Sequence, residues 1–283
     1  MFYKKNEILE KSIYSLILRV LGMFFGYLFL IIITKEFGAH IWGSFTLCLA
    51  ILNISSMISR LGLDISIVKF ISLNSDSLAS KRGLYIQSLL IVSLISCVVS
   101  IVVFFTSEYM ANVFFLKPDL SSHIKIISWL ILPYSLLSLN AGIFRGVKNI
   151  KLFTFFKFTT NFLFAILIYL LIFKTDFLLE QYDFNKVPLI AFFLGIIFSF
   201  FISFRYVFKL FSGFSPSNNI TGFKELIRTS YPMMLSGAIL LLMSWIDTFM
   251  IGRFLTETHI GIYNVSVKMA LLSNIIFVPV SSI

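Results

Sequence analysis

The chain has 283 residues, of which 58% are hydrophobic and 13% charged, and its mean hydropathy is +0.96. This composition leaves too little polar surface for a water-soluble globule, so soluble domains and soluble enzymes are excluded. The formal net charge of +10 is scattered over short breaks between apolar segments, which argues against a nucleic-acid-binding face. We therefore expect an all-α, polytopic membrane protein.

The apolar residues fall into blocks of about 20, the length that a helix needs to cross a hydrocarbon core of roughly 30 Å. Hydropathy and polar breaks predict eight spans: Ile13–Ile33, Ile41–Ile58, Leu84–Phe105, Ile124–Phe144, Phe153–Phe173, Leu189–Tyr206, Pro232–Ile251 and Ile260 to the C-terminus. The breaks carry turn residues or charge, as in Asn74-Ser75-Asp76. Each is too short to hold a soluble catalytic domain.

Basic residues alternate between the two sides of the predicted spans, and retained cytoplasmic loops carry the excess of Lys and Arg. With the N-terminus inside, the inner set is Lys4, Lys5, Lys11, Arg60, Lys69, Lys81, Arg82, Arg145, Lys148, Lys151, Lys157, Arg205, Lys209, Lys224 and Arg228. The outer set is smaller: Lys35, Lys117, Lys125, Lys174, Lys186 and Arg253. The sequence therefore predicts a cytoplasmic N-terminus.

A stretch rich in Ser, Asn and Gly follows the sixth span and indicates a boundary between two lobes. We expect a six-helix lobe over residues 1–211, a cytoplasmic connection over 212–229 and two helices of a second lobe over 230–283. A shift of 218 positions pairs Ser12 with Ser230, Ile33 with Ile251, Lys35 with Arg253, Gly43 with Gly261 and Phe45 with Tyr263. Such a shift is typical of two parallel six-helix repeats.

Charges inside spans are the sharpest functional signals, because an ionised group in hydrocarbon costs several kcal/mol without a cavity or a partner. Arg19, Asp247 and Lys268 lie in the first, seventh and eighth spans. Arg19 either lines a cavity or extends to the cytoplasmic surface. Asp247 is expected to face the interior, as a buried partner of Lys268 or Arg19 or as a protonation or cation site.

A fourth candidate is the pair Arg60 and Asp64, which stand four residues apart and so share one face of any helix there. Two interpretations stay open for this pair, a helix-end ion pair and a functional site. Polar residues such as Asn140, Asn161 and Asn264 are expected mainly to join helices, and hydrogen bonding to substrate hydroxyls is the alternative.

Enzyme and metal motifs are not recognisable in the sequence. His40 and His259 fall in predicted outer loops and His123 at a span start, without a carboxylate or cysteine at ligand spacing. Cys48 and Cys97 lie inside apolar segments, where a thiol behaves as a small hydrophobe. We expect neither a metal nor an organic cofactor, and no Gly-rich phosphate loop supports direct use of ATP.

Three stretches resemble the polysaccharide-biosynthesis flippases, the Wzx or O-antigen transporter family. They are Arg60-Leu61-Gly62-Leu63-Asp64, Gly142-Ile143-Phe144-Arg145-Gly146, and Asp247-Thr248-Phe249-Met250-Ile251-Gly252 followed by Gly261-Ile262-Tyr263. The resemblance covers nearly the whole chain. It implies membership of the multidrug/oligosaccharidyl-lipid/polysaccharide exporter superfamily, with two six-helix lobes, and thus about twelve spans, around a central cavity.

The resemblance also implies a function, which is to move undecaprenyl-diphosphate-linked oligosaccharides across the bacterial inner membrane. A glycan diphosphate crosses hydrocarbon only inside a polar, cationic cavity, and the candidate cavity residues are Arg19, Arg60, Asp64, Arg145 and Lys268. We expect alternating access by rocking of the lobes, with Asp247 coupling a proton or sodium gradient. The expected partners are the lipid-linked glycan, the bilayer and the polysaccharide assembly machinery.

Other functions remain open at this stage. A drug or cation exporter of the same superfamily, a flippase for lipid-linked peptidoglycan precursors and a membrane glycan polymerase or ligase would all be hydrophobic and basic. The final residues, 280–283, lie inside the eighth predicted span, so we also expect a fragment of a longer transporter or an inactive truncated product.

Overall fold

The computed structural model describes residues 2–73, 78–175, 184–212 and 223–280, and these are helical apart from short turns. The helices are α1 (Phe2–Arg60), α2 (Leu63–Leu73), α3 (Leu78–Tyr109), α4 (Leu120–Gly146), α5 (Ile150–Thr154), α6 (Thr160–Thr175), α7 (Val187–Phe211), α8 (Phe223–Phe254) and α9 (Glu257–Val280). Wider π-helical turns cover Met110–Phe114 and Phe155–Thr159, and a 3-10 turn covers Phe184–Lys186. The all-α prediction is confirmed, because these ranges contain no strand.

Helix α1 is a hairpin with two arms. Gly38 has φ 80° and ψ 174°, a conformation that interrupts the helix without a loop. The rings of Phe29 and Phe45 lie 5.5 Å apart, which a straight helix would not allow for residues 16 positions apart. The N-arm (residues 2–37) and the C-arm (39–60) therefore run side by side and supply the first two predicted spans.

Among the described residues, six helical segments are long and apolar enough to cross a membrane: Ser12–Arg60, Leu78–Phe114, Leu120–Gly146, Ile150–Ile172, Val187–Phe211 and Glu225–Phe254. The first contains both arms of α1, and α9 coincides with the eighth predicted span. The multi-pass architecture is thus confirmed.

The structure differs from the prediction at two places along the chain. Helix α2 was not expected, and α8 begins at Phe223, ahead of the predicted start of the seventh span at Pro232. The break at Asn74-Ser75-Asp76 and residues 213–222 of the connection lie outside the described residues. The division into lobes stays a prediction.

The C-arm is the centre of the largest core cluster. Residues 41–52 are all buried, and Trp42 and Phe45 contact aromatic side chains from the N-arm and α7, such as Phe29 and Phe192. A second cluster joins α2, α3, α4 and α7. Because lipid is as apolar as these side chains, close packing rather than water exclusion favours their association.

Polar side chains join the helices inside these clusters. Asn140 of α4 accepts a hydrogen bond from the Tyr85 hydroxyl of α3 at 2.9 Å and donates one to the Ser203 hydroxyl of α7 at 2.9 Å. Asn264 of α9 accepts from the Trp42 indole at 3.1 Å. The interpretation of these two asparagines as links between helices is confirmed, at a typical contribution of about 1 kcal/mol each.

The C-arm and α9 cross at two glycines. A Cβ on Gly43 would overlap the Glu257 carbonyl, and a Cβ on Gly261 would overlap the Ala39 carbonyl. Positions 39 and 257, like 43 and 261, differ by the 218 residues of the internal shift. Such reciprocal contacts between equivalent residues are the signature of a two-fold arrangement, so the weak sequence repeat has a structural counterpart at this crossing.

Candidate substrate cavity

A cavity of about 360 Å³ lies between the N-arm, α4, the segment 157–162 and α9. Its polar lining residues are Arg19, Tyr27, Tyr134, Lys157, Asn161 and Lys268. Three of them are cations, and none of the described lining residues is a carboxylate. Among the described residues, no three His, Cys, Asp or Glu side chains are grouped to hold a metal ion.

Arg19 and Lys268, the two basic residues selected inside predicted spans, line this same cavity. The Arg19 guanidinium lies 5.2 Å from the ring centre of Phe158. The Lys268 ammonium lies 4.5 Å from the Trp42 ring and 5.8 Å from the Phe162 ring. Aromatic faces stabilise these cations without neutralising them, so both charges stay available to an anion. Their role in substrate binding stays a prediction.

Lys157 is the third cation of the cavity, and the sequence analysis did not select it. It lies on the π-helical turn Phe155–Thr159, and Gly22 of the N-arm fits against the backbone of Phe158 in the same turn. Such π-turns are frequent at functional sites. The available signal was a charge inside the fifth predicted span, but Lys157 was grouped with the basic residues of the inner loops.

Asn161 differs from the other buried asparagines. Its Oδ1 has no hydrogen-bond partner among the described residues, whereas Asn140 and Asn264 are bonded between helices. The Asn161 amide oxygen therefore has no partner among the described residues and lies beside the three cations. Together with the Tyr134 hydroxyl, which donates to Asn53 at 3.2 Å, it adds hydrogen-bonding capacity to a cationic site.

Arg60 and Asp64 form an ion pair outside the cavity lining. The Arg60 Nη1 donates to Asp64 Oδ2 at 2.9 Å, and its Nε donates to the Ser56 carbonyl at 3.1 Å. Arg60 is 8% exposed and ends α1, and Asp64 lies in the first turn of α2. This geometry favours the helix-end ion pair over a direct substrate contact.

The remaining two candidates also lie away from the cavity lining. Arg145 is exposed at the end of α4, with its guanidinium 5.5 Å from the Phe153 ring centre. Asp247 is exposed on α8 and accepts a hydrogen bond from the Tyr263 hydroxyl at 2.7 Å. The interpretation of Asp247 as a buried partner of Lys268 or Arg19 is therefore wrong, because its partner is a neutral hydroxyl of α9. A coupling role for Asp247 stays a prediction.

The three stretches that carry the family resemblance are contact points between helices. Gly62, with φ 75°, fits against the backbone of Ser230 and Met234 in α8. A Cβ on Gly142 would lie 2.5 Å from the Asp64 carbonyl, so the first two stretches touch each other. The glycines of these motifs thus allow close packing of the helices.

The spans and the helical architecture define a class, the multi-pass membrane proteins with a transporter fold. A solved structure of the MATE multidrug transporter DinF-BH is 16% identical, with a TM-score of 0.67 over 94% of this chain and 60% of that one. Another, described as protein A, is 17% identical, with a TM-score of 0.70 over 93% of this chain and 60% of that one. This chain thus spans about 60% of the length of both.

The particular family follows from the sequence. The model of the polysaccharide biosynthesis protein family matches residues 8–283, so the chain belongs to that family. A comparison with curated proteins finds no significant match. The family resemblance drawn from the three motif stretches is confirmed.

Proposed function

We propose that this protein flips polyprenyl-diphosphate-linked oligosaccharides from the cytoplasmic to the outer leaflet of the bacterial inner membrane. The observation that carries the proposal is the cavity in which Arg19, Lys157 and Lys268 converge, with no carboxylate among the lining residues that the structure describes. Membership of the polysaccharide biosynthesis family and the transporter fold support it.

The chemistry of such a substrate matches the cavity. A diphosphate carries its charge on oxygens that accept hydrogen bonds, and a guanidinium with two ammonium groups offers several charge-assisted donors. Transfer of a bare diphosphate into hydrocarbon is prohibitive, so the cations must replace its water. The polyprenyl chain stays in lipid and the glycan uses the amide and hydroxyl groups of the lining.

The cycle that we propose is alternating access, in which the two predicted lobes rock about a site between them. An ion gradient drives the cycle, and Asp247 is the candidate coupling group. Its hydrogen bond with Tyr263 joins α8 to α9, so a change in the charge of Asp247 alters a contact between these two helices. The polysaccharide assembly machinery receives the flipped product.

Complementation tests the proposal. A bacterium that lacks its own flippase receives this chain or a version extended to twelve spans, and surface polysaccharide is measured.

In the version that complements, Arg19→Gln, Lys157→Met or Lys268→Met is expected to lower export about tenfold, because each removes a charged hydrogen bond worth about 1.5 kcal/mol or more. The matched controls Arg205→Gln and Lys35→Met, at exposed cations outside the cavity lining, are expected to retain export. Normal export by all three cavity variants would refute the proposal.

A multidrug exporter is the second candidate, favoured by the fold shared with the MATE transporter. The two functions predict opposite ligand preferences, because a cationic cavity attracts a diphosphate and repels a cationic drug. Binding of undecaprenyl diphosphate and of the cation ethidium to the purified protein separates them. Tight binding of ethidium, unchanged by Lys157→Met, would favour the drug exporter.

A further inference from the structure

At the predicted outer end of the molecule, the turn before α4 is bound to the end of α8. We name this contact the outer latch. Its residues are Val113, Phe115 and Lys117 on one side and Gly252, Arg253 and Leu255 on the other. The contact joins segments about 140 positions apart in the sequence, and it lies at the opposite end of α8 from the contact with Gly62.

The latch consists of cations that bind backbone carbonyls across the contact. The Lys117 ammonium donates to the Gly252 carbonyl at 2.6 Å and to the Leu255 carbonyl at 2.8 Å. In the opposite direction, Arg253 donates to the Val113 carbonyl at 3.1 Å. Each of the two segments therefore supplies one cation, and its backbone carbonyls accept hydrogen bonds from the cation of the other segment.

The accepting carbonyls are those that a helix end leaves without partners. The last carbonyls of α8 have no intrahelical N–H, and the end of the helix carries the negative pole of its dipole. Lys117 supplies both a proton donor and a positive charge there. Arg253 does the same for the π-helical turn Met110–Phe114. Glu257, at the start of α9, adds an attractive charge near Lys117, which offsets the repulsion between Lys117 and Arg253.

Apolar packing lies directly beneath these bonds. The ring of Phe115 stacks on Phe249 of α8 at 5.9 Å, and Gly252 has no side chain to separate α8 from Leu47 and Phe115. Thr248, one turn before Gly252, is only 4% exposed. The outer latch thus covers a tightly packed seam between α8 and the first predicted lobe.

We propose that the outer latch holds the predicted outer end of the transporter closed, and that it opens when the substrate leaves to the outer leaflet. This inference rests on the alternating-access cycle of the proposed function. The latch is suited to reversible opening because, at a helix end, water can replace the hydrogen bonds between the cations and the carbonyls. An apolar seam alone has no such hydrogen bonds that water could replace.

Labelling of a cysteine beneath the latch tests the inference. Thr248→Cys is introduced in a Cys97→Ala background, in which the native Cys48 is fully buried, and a membrane-impermeant maleimide is added from outside intact cells. Slow labelling is expected with the latch intact. Lys117→Met with Arg253→Met is expected to raise the labelling rate about tenfold, because the double variant removes the charged hydrogen bonds that favour the closed state.

Matched controls separate latch opening from general damage. Lys125→Met removes another outer cation, one that pairs with Glu108 at 2.7 Å and does not bond to α8, and is expected to leave labelling unchanged. Lys117→Arg keeps the charge and the donors and is expected to restore slow labelling. A cysteine at the buried Ser199 of α7 is expected to stay unlabelled in every variant.

Either of two results would overturn the inference: equal labelling of Thr248→Cys with and without the latch cations, or equal acceleration at Ser199→Cys. The assay measures only the accessibility of position 248 and does not depend on transport of a substrate. A failed flippase assignment therefore leaves the labelling result intact, and a failed latch leaves the complementation result intact.

Discussion

The two arms of α1 both contain a predicted apolar span, but their environments are opposite. Of residues 12–24 in the N-arm, only Gly22 is buried, whereas residues 41–52 of the C-arm are all buried. The N-arm presents Arg19 to the cavity, and the C-arm forms the centre of the core. Hydropathy therefore indicates that a segment lies in the membrane. Whether the segment lines the cavity or forms the core depends on how its faces pack against neighbouring helices.

The glycines of the two arms also differ in how closely other backbone atoms approach them. At Gly43 in the C-arm, another backbone occupies the place of a side chain, and at Gly26 in the N-arm a Cβ would meet only the Phe162 ring at an ordinary 3.6 Å. Gly22 lies between these cases, at 2.5 Å from the Phe158 carbonyl. Substitutions along α1 should therefore have graded effects.

The largest effect is expected for Gly43→Ala. The new methyl group would force α9 away from the C-arm, because a carbonyl cannot rotate aside as a side chain does. We expect a loss of stability of about 3 kcal/mol or more. Thermal unfolding of the purified chain in detergent measures it, with Gly237→Ala as the control, since open space surrounds that position. Equal melting of the two variants would contradict the close crossing.

Arg60→Met is expected to have the next largest effect, at the end of the C-arm. Removal of the guanidinium leaves the Asp64 carboxylate, which is 17% exposed, without its ion-pair partner. The expected loss is about 2 kcal/mol, below the full cost of an unpaired buried charge because some water reaches Asp64. Arg145→Met, at an exposed cation, is the comparison and should cost less than about 1 kcal/mol. Similar losses in the same melting assay would show that the ion pair is not structural.

Gly22→Ala is expected to cost about 1 kcal/mol and to reduce export in the complementation assay. The added methyl would press on the π-helical turn that carries Lys157 and so displace this cation from the cavity. A normal export level with reduced stability would separate the packing role of Gly22 from the position of Lys157.

The smallest effect is expected for Gly26→Ala, and its sign is opposite. The methyl fits at van der Waals distance and reduces the freedom of the unfolded chain, so the variant should gain about 0.5 kcal/mol. A melting temperature below that of the parent would show that the N-arm is packed as closely as the C-arm.

Much of the fold follows from the sequence, because span length and polar breaks act locally. The eight predicted spans all coincide with helical segments. The short helix α2 was missed because its apolar residues are too few for a span, and the early start of α8 was missed because Pro232 is accommodated inside the helix. Neither feature produces an apolar block of membrane-spanning length.

The cavity followed less well from the sequence, because side-chain direction depends on packing. Arg19 and Lys268 were predicted as cavity residues because they are charges inside spans. The same criterion applied to Lys157 would have given all three cations of the cavity. Asp247 was expected to face the interior, as a partner of Lys268 or Arg19 or as a protonation or cation site, whereas its side chain is exposed and accepts a hydrogen bond from Tyr263. A charge in a span thus indicates a partner without identifying it.

Gly38 has a consequence that concerns chirality. Its φ of 80° and ψ of 174° strain any L-residue, although no atom lies within 4 Å of the place where an L-side chain would begin. The mirror image of this conformation, near φ −80° and ψ −174°, is extended backbone that L-residues adopt readily. A D-alanine at position 38, introduced by chemical ligation, would therefore suit the corner of the hairpin, and an L-alanine would not. The chain reversal between the two arms therefore depends on a backbone conformation that is favourable for a D-residue and unfavourable for an L-residue.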